Sequence, residues 1–412
     1  MHDSQTEHYV GLDIGTSSVR CVVGMLDSVD PSKLAVIGKG EAPIIGMRKG
    51  VIIHVEDVAE AVSKALSDAE RITGIPIHRA TVNINGSHIT GLNSTGVVAI
   101  SAANREITPE DCIRVEDAAT ILQLPANREI IQAFAKNYRL DGQGNIKDPV
   151  GMHGIRLEVE SHIITASTPS LKSLSTVLDK VGLHVDHYSV SGLAAAEAVL
   201  DRQQKESGTL VLDIGAGTTN LAVIEDGEVQ HVAVIPIGGI NITNDLAIGL
   251  KTDLDIAEIV KIKHADLSKQ QNKNLRIHVD YNKQKYSFDA ADVHMIVEAR
   301  LEELLEYVDK ELAKIRRSRR LPGGVVIVGG TANLPGIDEI AREKLELPAR
   351  VGKLQKLQGL TDTVNDPKYF TAVGLMVLDL LLGGGSSVSQ MKTKIGINNL
   401  TSFTNKLFRK LR

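Results

Sequence analysis

The sequence predicts an α/β protein that is built from two related halves. The main observation is an internal repeat, because residues 9–23 read YVGLDIGTSSVRCVV and residues 209–224 read TLVLDIGAGTTNLAVI. In each copy an apolar run leads into Asp-Ile-Gly, small hydroxyl residues follow, and a second apolar run comes next. A further apolar run at 323–328 ends in a glycine pair before a helical segment at about 337–345, which is an order typical of α/β folds.

Each copy of the repeat predicts a strand, a tight turn and a second strand. After the second copy, Asp226-Gly227 is a hairpin-turn signal, and the alternating residues 229–234 predict a third strand. Each half is therefore expected to open with an antiparallel meander and to continue with helices. A hydrophobic content of 42% supplies enough apolar side chains for the cores of both halves.

The residue types in the two repeated turns suit phosphate binding. Gly15, Gly215 and Gly217 allow backbone N–H groups to approach an anion at positions where a Cβ atom would interfere. The turns also supply hydroxyl donors, namely Thr16, Ser17, Ser18, Thr218 and Thr219. One such turn alone is more often an ordinary hairpin, but two copies in matching strand contexts favour a phosphate site. A Walker A loop and a dinucleotide fingerprint are excluded, because the lysine of the first and the third glycine of the second are absent.

Two carboxylates and the later glycine pair complete the predicted site. Asp13 and Asp213 come at strand ends, where a carboxylate can hold Mg²⁺ through water beside a polyphosphate. The segment Gly329-Gly330-Thr331 follows the later strand, and its bare backbone can lie against a base and a ribose. For this segment alone, a loop with packing glycines is an equally good interpretation. We expect a nucleotide to be held between the two turns, across a cleft between the halves.

The charge distribution sets the C-terminal segment apart from the rest of the chain. The net charge is −5, whereas residues 383–412 contain six basic residues and no Asp or Glu. The Gly/Ser-rich start of this segment predicts a flexible linker at 386–397, and the asparagines that follow can cap a helix at 398–412. Because the total charge is negative, there is no general attraction to nucleic acid, and no nucleic-acid partner is expected.

The helix predicted at 398–412 is amphipathic. Its apolar stripe consists of Leu400, Phe403, Leu407, Phe408 and Leu411, and the flanking basic residues are Lys406, Arg409, Lys410 and Arg412. At about 15 residues the segment is too short to span a bilayer, so it is expected to lie in the interface of an anionic membrane. Docking on the body of the protein and binding in a partner's groove are the alternatives. The flexible linker and the basic polar face favour the membrane.

The three nucleotide motifs are similar to the phosphate 1, phosphate 2 and adenosine motifs of the actin, Hsp70 and sugar-kinase superfamily. Further segments resemble the FtsA family of bacterial cell-division proteins, and the resemblance covers nearly the whole chain. These segments are GMRKGVI at 46–52, GSHI at 86–89, DPVGMHGIRLE at 148–158, GLTD at 359–362 and TAVGL at 371–375. The resemblance implies that the nucleotide is ATP and that Mg²⁺ accompanies it.

The resemblance also implies roles for three further residues. In FtsA-like proteins an Ala-Glu-x-x-Lys helix reaches the ribose, and Glu258 and Lys261 match this motif. Without the resemblance, the two residues would be interpreted as an ordinary surface ion pair. The family binds the C-terminal peptide of FtsZ through a helix whose arginine is matched by Arg300. This helix is rich in charge, and most such residues are merely solvated.

An actin-like fold is implied, in which one small subdomain is replaced by a differently placed one called 1C. The expected boundaries are 1–82, 167–197 and 360–385 for subdomain 1A, 83–166 for 1C, 198–235 and 305–359 for 2A, and 236–304 for 2B. The sequence permits the insertion, because strand patterns flank a helix that begins with the cap Thr108 and the first-turn proline Pro109. In the family, 1C serves self-association and contacts with other division proteins.

The function implied is that of an ATP-binding, filament-forming protein that anchors FtsZ to the cytoplasmic face of the membrane at the division site and helps to recruit later division proteins. Slow ATP hydrolysis at most is expected, and no metabolic reaction. A PilM-type pilus-assembly protein and a sugar or acetate kinase remain as alternatives. The basic tail argues against the first, and the lack of a carboxylate base outside the turns argues against the second. Two cysteines without metal spacing, and a polar segment at 1–8, favour a reducing compartment without a signal peptide.

Overall fold

The computed structural model of the chain describes residues 7–27, 33–101, 104–268, 275–355 and 357–383. The predicted linker at 386–397 and the predicted amphipathic helix at 398–412 lie outside these residues. Within the described ranges, no helix combines the length and the apolar character that crossing a membrane requires.

The first repeat forms the predicted meander. The elements from here to the insert are β1 His8–Ile14, β2 Ser18–Leu26, β3 Leu34–Pro43, β4 Met47–Arg48, β5 Val51–Ile52, α1 Val55–Thr73 and β6 Arg79–Ile84. Strand β2 pairs antiparallel with β1 and with β3, while β6 runs parallel to β1. Helix α1 covers one face of this sheet with a buried alanine- and valine-rich side.

An insert with its own sheet interrupts the first half. Its elements are β7 Thr90–Ala99, α2 Pro109–Ala119, β8 Arg128–Leu140, β9 Gln143–Ile146 and β10 Arg156–Ser167, and the strand order is β7-β10-β8-β9. Helix α2 begins as predicted. The Thr108 hydroxyl accepts a hydrogen bond from the Asp111 N–H, and the Asp111 carboxylate accepts one from the Thr108 N–H at 3.0 Å. The predicted order of strands, helix and strands is therefore confirmed.

The chain returns to the first half after the insert and then crosses to the second. The elements here are α3 Thr168–Lys180, β11 His184–Val190, α4 Ser191–Val199 and α5 Arg202–Ser207. Strand β11 pairs parallel with β6 and forms one edge of the first sheet. Every residue of α4 is buried, in agreement with a tightly packed helix of small residues.

The second half repeats the meander. Its elements are β12 Thr209–Ile214, β13 Thr219–Glu225, β14 Glu228–Ile235, α6 Gly239–Leu250, α7 Leu254–His264, β15 Arg276–Tyr281, β16 Gln284–Asp289, α8 Ala290–Lys314, β17 Gly324–Val328, α9 Ile337–Leu345 and β18 Ala349–Val351. The sheet order is β14-β13-β12-β17-β18. The hairpin predicted at Asp226-Gly227 is present, and both residues have positive φ angles of 58° and 74°, as a two-residue turn of type I′ requires.

The last described elements close the first half again. They are β19 Gln358–Gly359, which pairs parallel with β3, and α10 Phe370–Leu382. Helix α10 crosses α4 so closely that a Cβ atom on Gly374 would lie 1.7 Å from the carbonyl oxygen of Ala194. A buried cluster joins side chains of both halves around these helices, for example Val22 and Val211. The two halves therefore share one core.

Asp379 ties α10 to the first sheet from inside. Its carboxylate accepts hydrogen bonds from the Val10 N–H at 3.0 Å and from the Thr81 hydroxyl at 2.7 Å. The side chain is almost fully buried. Burial raises the pKa of Asp379 from 3.8 to about 6, although the two hydrogen bonds oppose this shift.

We expect Asp379→Asn to flatten the pH dependence of stability. Because the folded state favours the protonated acid, the stability that Asp379 contributes is complete below about pH 4 and is lost as the pH rises through 6. The shift corresponds to about 3 kcal/mol, and asparagine does not titrate. The free energy of unfolding, measured with urea at about pH 4 and pH 7.5, should therefore fall by about this amount more in the parent than in the variant. A difference between the two proteins that is the same at both pH values would contradict the assignment.

Candidate functional site

The two repeated turns face each other across a cavity of about 390 Å³. Most of the residues predicted for the nucleotide site line it, namely Asp13, Gly15, Thr16, Ser17, Asp213, Gly215, Thr218, Glu258, Lys261, Gly329, Gly330 and Thr331. Three predicted residues, Ser18, Gly217 and Thr219, do not line the cavity. Because the residues that do line it come from both halves and are far apart in the sequence, only the folded chain can bring them together.

The two turns have the same internal hydrogen bond. The N–H of Gly15 donates to the carbonyl of Ser18 at 3.1 Å, and the N–H of Gly215 donates to the carbonyl of Thr218 at 2.9 Å. The amides of the two first glycines therefore close the turns and are not free for a phosphate. The next backbone N–H groups in each turn, at 16–17 and 216–217, have no acceptor among the described residues. Of these, the amides of Thr16, Ser17 and Ala216 belong to residues that line the cavity and are the ones that can bind an anion.

Gly217 and Thr219 hold neighbouring segments in place and do not line the cavity. A Cβ atom on Gly217 would lie 2.8 Å from the side chain of Thr16, so glycine allows the two turns to come into contact. The Thr219 hydroxyl is buried and donates to the carbonyl of Ile237 at 2.9 Å. Direct contact of these two residues with a nucleotide stays a prediction.

Asp13 and Asp213 lie at the ends of equivalent strands and are nearly inaccessible to solvent. Burial raises the pKa of Asp13 to about 7, and the nearby charge of Arg20 opposes this shift. Burial raises the pKa of Asp213 to about 6, against the hydrogen bonds from Thr371 and Asn220. The two carboxylates are thus placed where a cation is needed to stabilise their charged forms.

A buried polar atom beside Asp213 lacks a partner. Asn220 donates through Nδ2 to Asp213 Oδ2 at 3.3 Å, but its Oδ1 is buried and accepts no hydrogen bond from the described residues. An oxygen acceptor next to two carboxylates fits a hydrated Mg²⁺ ion, which prefers oxygen ligands and keeps several of its waters. Among the described residues there is no group of three or more His, Cys, Asp and Glu side chains that could hold a metal ion.

Glu258 and Lys261 lie on α7 and enclose the opposite side of the cavity. The Lys261 ammonium donates to Glu258 at 2.6 Å, to the Thr243 hydroxyl at 2.8 Å and to the carbonyl of Gly239 at 3.1 Å. The Thr243 hydroxyl also donates to Glu258. The pair is therefore part of a network that joins α7 to the start of α6, and it is more than an isolated surface ion pair.

The glycine pair after β17 closes the cavity from the second half. Gly329 has a φ of 85°, and a Cβ atom there would lie 2.5 Å from Asp213 Oδ1, so only glycine fits. The Thr331 hydroxyl donates to the carbonyl of Gly215 at 3.3 Å and so joins this segment to the second turn. The segment is more than a packing loop, because it borders the carboxylate and the turn directly.

Seven polar residues of the cavity wall were not identified from the sequence. They are Arg20, Asn85, Asn220, Asn333, Asp366, Lys368 and Thr371. Arg20 could have been found, because a residue seven positions after Asp13 is opposite it in a two-strand meander with a short turn. For Lys368 and Thr371 no local signal exists, because only the crossing of α10 between the halves brings them to the site.

Arg300 lies on α8, outside the cavity wall, and three of its five N–H groups donate to carboxylates of the same chain. It forms a bidentate pair with Asp245 on α6, with Nη2 2.9 Å from Oδ1, and a further ion pair with Glu303. The side chain is only 24% exposed. Arg300 is therefore held in a built carboxylate-binding geometry and is not a freely solvated charge.

A larger cleft, of about 510 Å³, separates the insert from the second half. Its charged side chains pair with one another, for example Lys136 with Glu160 at 3.0 Å, while Arg317 at its edge pairs with Glu225. The wall has five cations and three carboxylates, but four of the five cations are already paired with carboxylates in or beside the wall, so little free charge is left for a ligand. The smaller cavity between the turns is the better candidate site.

Comparison with known proteins agrees with the geometry. The family model "Cell division protein FtsA" matches residues 210–374, and the model "SHS2 domain inserted in FTSA" matches residues 86–165. Cell division protein FtsA of Pseudomonas aeruginosa is 38% identical over 90% of this chain and 89% of its own length. The Bacillus subtilis protein of the same name is 37% identical over 90% of this chain and 83% of its own length.

Solved structures establish the fold. A PilM–PilN type IV pilus biogenesis complex matches with a TM-score of 0.65 at 16% identity, over 91% of this chain and 99% of the other. MreB5 of Spiroplasma citri bound to ADP matches with a TM-score of 0.55 at 13% identity, over 94% and 98%. At these identities the likeness shows the fold alone, so the PilM match does not support a role in pilus assembly. The predicted actin-like fold is confirmed, and by its sequence relatives the chain belongs to the FtsA family of cell division proteins.

Proposed function

We propose that this cell division protein binds Mg²⁺–ATP in the cavity between the two turns and anchors FtsZ to the inner surface of the cell membrane at the division site. The main support for nucleotide binding is that both glycine turns, two buried aspartates and the Gly329-Gly330 segment all line one cavity. MreB5, which shares the fold, has been solved with ADP and with AMPPNP. A nucleotide in the corresponding cavity of this chain is therefore expected.

The chain's own residues divide the work of holding the nucleotide. The free amides of the two turns and the hydroxyls of Thr16 and Thr218 are suited to the phosphates. Asp13 and Asp213 would hold the Mg²⁺ through water, and Mg²⁺ would neutralise phosphate charge. Lys261 and Glu258 would bind the ribose. Slow hydrolysis at most is proposed.

The membrane and filament parts of the proposal rest on other regions. Arg300 is proposed to bind the acidic C-terminal peptide of FtsZ, and the segment 398–412 is proposed to lie in the membrane interface. The insert is proposed to serve self-association and contacts with other division proteins. In this scheme the folded body binds FtsZ, the tail binds the lipid, and the linker 386–397 connects the two.

Asp213→Ala is expected to weaken the binding of Mg²⁺–ATP by about tenfold or more, because a charged ligand to the hydrated cation is lost. Asp280→Ala is the matched control, since Asp280 is exposed on β15 and distant from the cavity. Isothermal calorimetry on both folded variants measures the effect. Parental affinity in Asp213→Ala would remove the central part of the proposal.

Arg300→Glu is expected to weaken binding of an FtsZ C-terminal peptide while the affinity for ATP stays unchanged. The reversal places a carboxylate beside Asp245 and Glu303 and so repels an acidic peptide. Lys344→Glu is the control, because Lys344 is an exposed cation on α9 that pairs with Glu302, and Glu302 lies on the same helix α8 as Arg300. Fluorescence anisotropy with a labelled peptide compares the three proteins. If Arg300→Glu binds as the parent does, the peptide site lies elsewhere.

Truncation after Gly385 is expected to abolish flotation with anionic liposomes without unfolding the body. Within the tail, Phe403→Asp should weaken flotation strongly, because burying one large apolar side chain contributes about 1.5–3 kcal/mol and a charge there must be desolvated. Ser402→Asp, on the opposite face of the predicted helix, adds the same charge and should have a much smaller effect. Equal flotation of the truncated and parental proteins would contradict the membrane role.

A further inference from the structure

A cluster of charged side chains spans three strands of the first sheet at the edge of the nucleotide cavity. Arg20 on β2 is directly opposite Asp13 on β1 and directly opposite Glu41 on β3. Side chains of directly opposed residues lie on the same face of a sheet. The Arg20 Nε is 3.1 Å from Glu41 Oε1, and its side chain is only 14% exposed. Arg20 is therefore a cation fixed between two carboxylates at the cavity wall.

Glu41 binds a second cation that also lines the cavity. Lys368, just before α10, places its ammonium 3.1 Å from Glu41 Oε2, and the Tyr369 hydroxyl donates to the same oxygen at 2.6 Å. Burial alone would raise the pKa of Glu41, but the Tyr369 hydrogen bond and the charge of Arg20 hold it below its ordinary value. One carboxylate thus holds two cavity-lining cations side by side at the wall.

A third cation of the cluster does not reach the cavity. The Lys39 ammonium lies 4.2 Å from the centre of the Tyr369 ring, donates to the Tyr369 hydroxyl at 2.9 Å and donates to the carbonyl of Thr363 at 2.7 Å. Lys39 is not part of the cavity wall, whereas Arg20 and Lys368 are. The cluster therefore distinguishes two cations that can meet a ligand from one that only supports the Tyr369 ring.

We propose that Arg20 and Lys368 are phosphate-binding cations of the nucleotide cavity, and that Glu41 and Tyr369 position them. This inference rests on the proposed nucleotide function and assigns a new role within that site. Without them, the wall next to Asp13 would present only carboxylates, amides and hydroxyls to a polyphosphate. Two fixed cations there favour a ligand with several phosphate charges over one with few, so the cavity should discriminate ATP and ADP from AMP and adenosine.

The test compares calorimetric affinities of the full chain for ATP and for adenosine, with Mg²⁺ present. Arg20→Gln and Lys368→Gln should each weaken ATP binding about tenfold to a hundredfold, the usual effect of losing a hydrogen bond to a charged group. Adenosine binding should stay close to the parental value. Arg20→Lys, which keeps the charge, should restore most of the ATP affinity.

Lys39→Gln is the matched control, because it removes a cation from the same cluster without changing the cavity wall. It should leave the ATP to adenosine affinity ratio near the parental one. Glu41→Gln keeps both cavity cations but weakens their anchor, and it should lower ATP affinity less than Arg20→Gln does. If Arg20→Gln destabilises the fold, the Lys368→Gln variant alone tests the inference. Lys368 is partly exposed and lies outside the sheet, so its replacement should not disturb the fold.

Three outcomes overturn the inference in distinguishable ways. A parent that binds ATP normally, together with Arg20→Gln and Lys368→Gln variants that bind ATP and adenosine as tightly as the parent does, would show that the cations are structural. A parent that binds no ATP would overturn the proposed function and this inference with it. Equal weakening of ATP and adenosine in the Gln variants would also contradict a phosphate contact, because it would indicate a general loss of the cavity.

Discussion

The close crossing of α4 and α10 is the contact on which the rest of the structure depends. The two helices pass at backbone distance, because Gly374 has no side chain to meet the carbonyl of Ala194 and because α4 consists mostly of small residues. This approach brings the two sheets near enough for their turns to touch at Gly217 and Thr16. Any side chain at Gly374 would separate the helices, and the cavity between the turns would widen with them.

Helix α10 adds polar contacts to this apolar crossing. At its start Thr371 donates to Asp213 at 3.2 Å, and near its end Asp379 accepts from Val10 and Thr81. The same helix therefore contacts a cavity carboxylate of the second half and the first strand of the first half. Because these buried carboxylates are only partly compensated by hydrogen bonds, each costs stability in its charged form. The arrangement is stable because the surrounding core is continuous across both halves.

Local patterns in the sequence were sufficient for the repeated turns and for somewhat less than half of the cavity wall. The repeated Asp-Ile-Gly turns, the hairpin at Asp226-Gly227 and the cap at Thr108 each depend on neighbouring residues, and the structure confirms all three. Contacts between distant residues could not be predicted in this way. The Asp245 carboxylate that occupies Arg300 comes from another helix, and Lys368 enters the cavity wall only because α10 returns to the first half.

The structure adds a role for the first glycine of each turn, while its part in phosphate binding stays a prediction. A tight turn needs its own closing hydrogen bond, so the N–H groups of Gly15 and Gly215 are used within the turn and the following amides are left for a ligand. Glycine favours this closure, since a Cβ atom on Gly15 would lie 3.0 Å from the carbonyl of Ser18, a tight contact. Its role is to let the turn close, and the sequence pattern does not separate that role from direct binding.

The attachment of the insert places a constraint on movement between the halves. The insert is continuous with the first half through β6 and β11, but His162 on β10 accepts a hydrogen bond from the Val232 N–H of β14 at 3.1 Å. The other ring nitrogen lies 2.8 Å from Asn93 Oδ1, so a neutral ring with its proton on Nδ1 satisfies both contacts. Burial lowers the pKa of His162 to about 3, which keeps the ring neutral. Since β14 belongs to the second sheet, any rotation that opens the cavity must either break this bond or move the insert along with the second half.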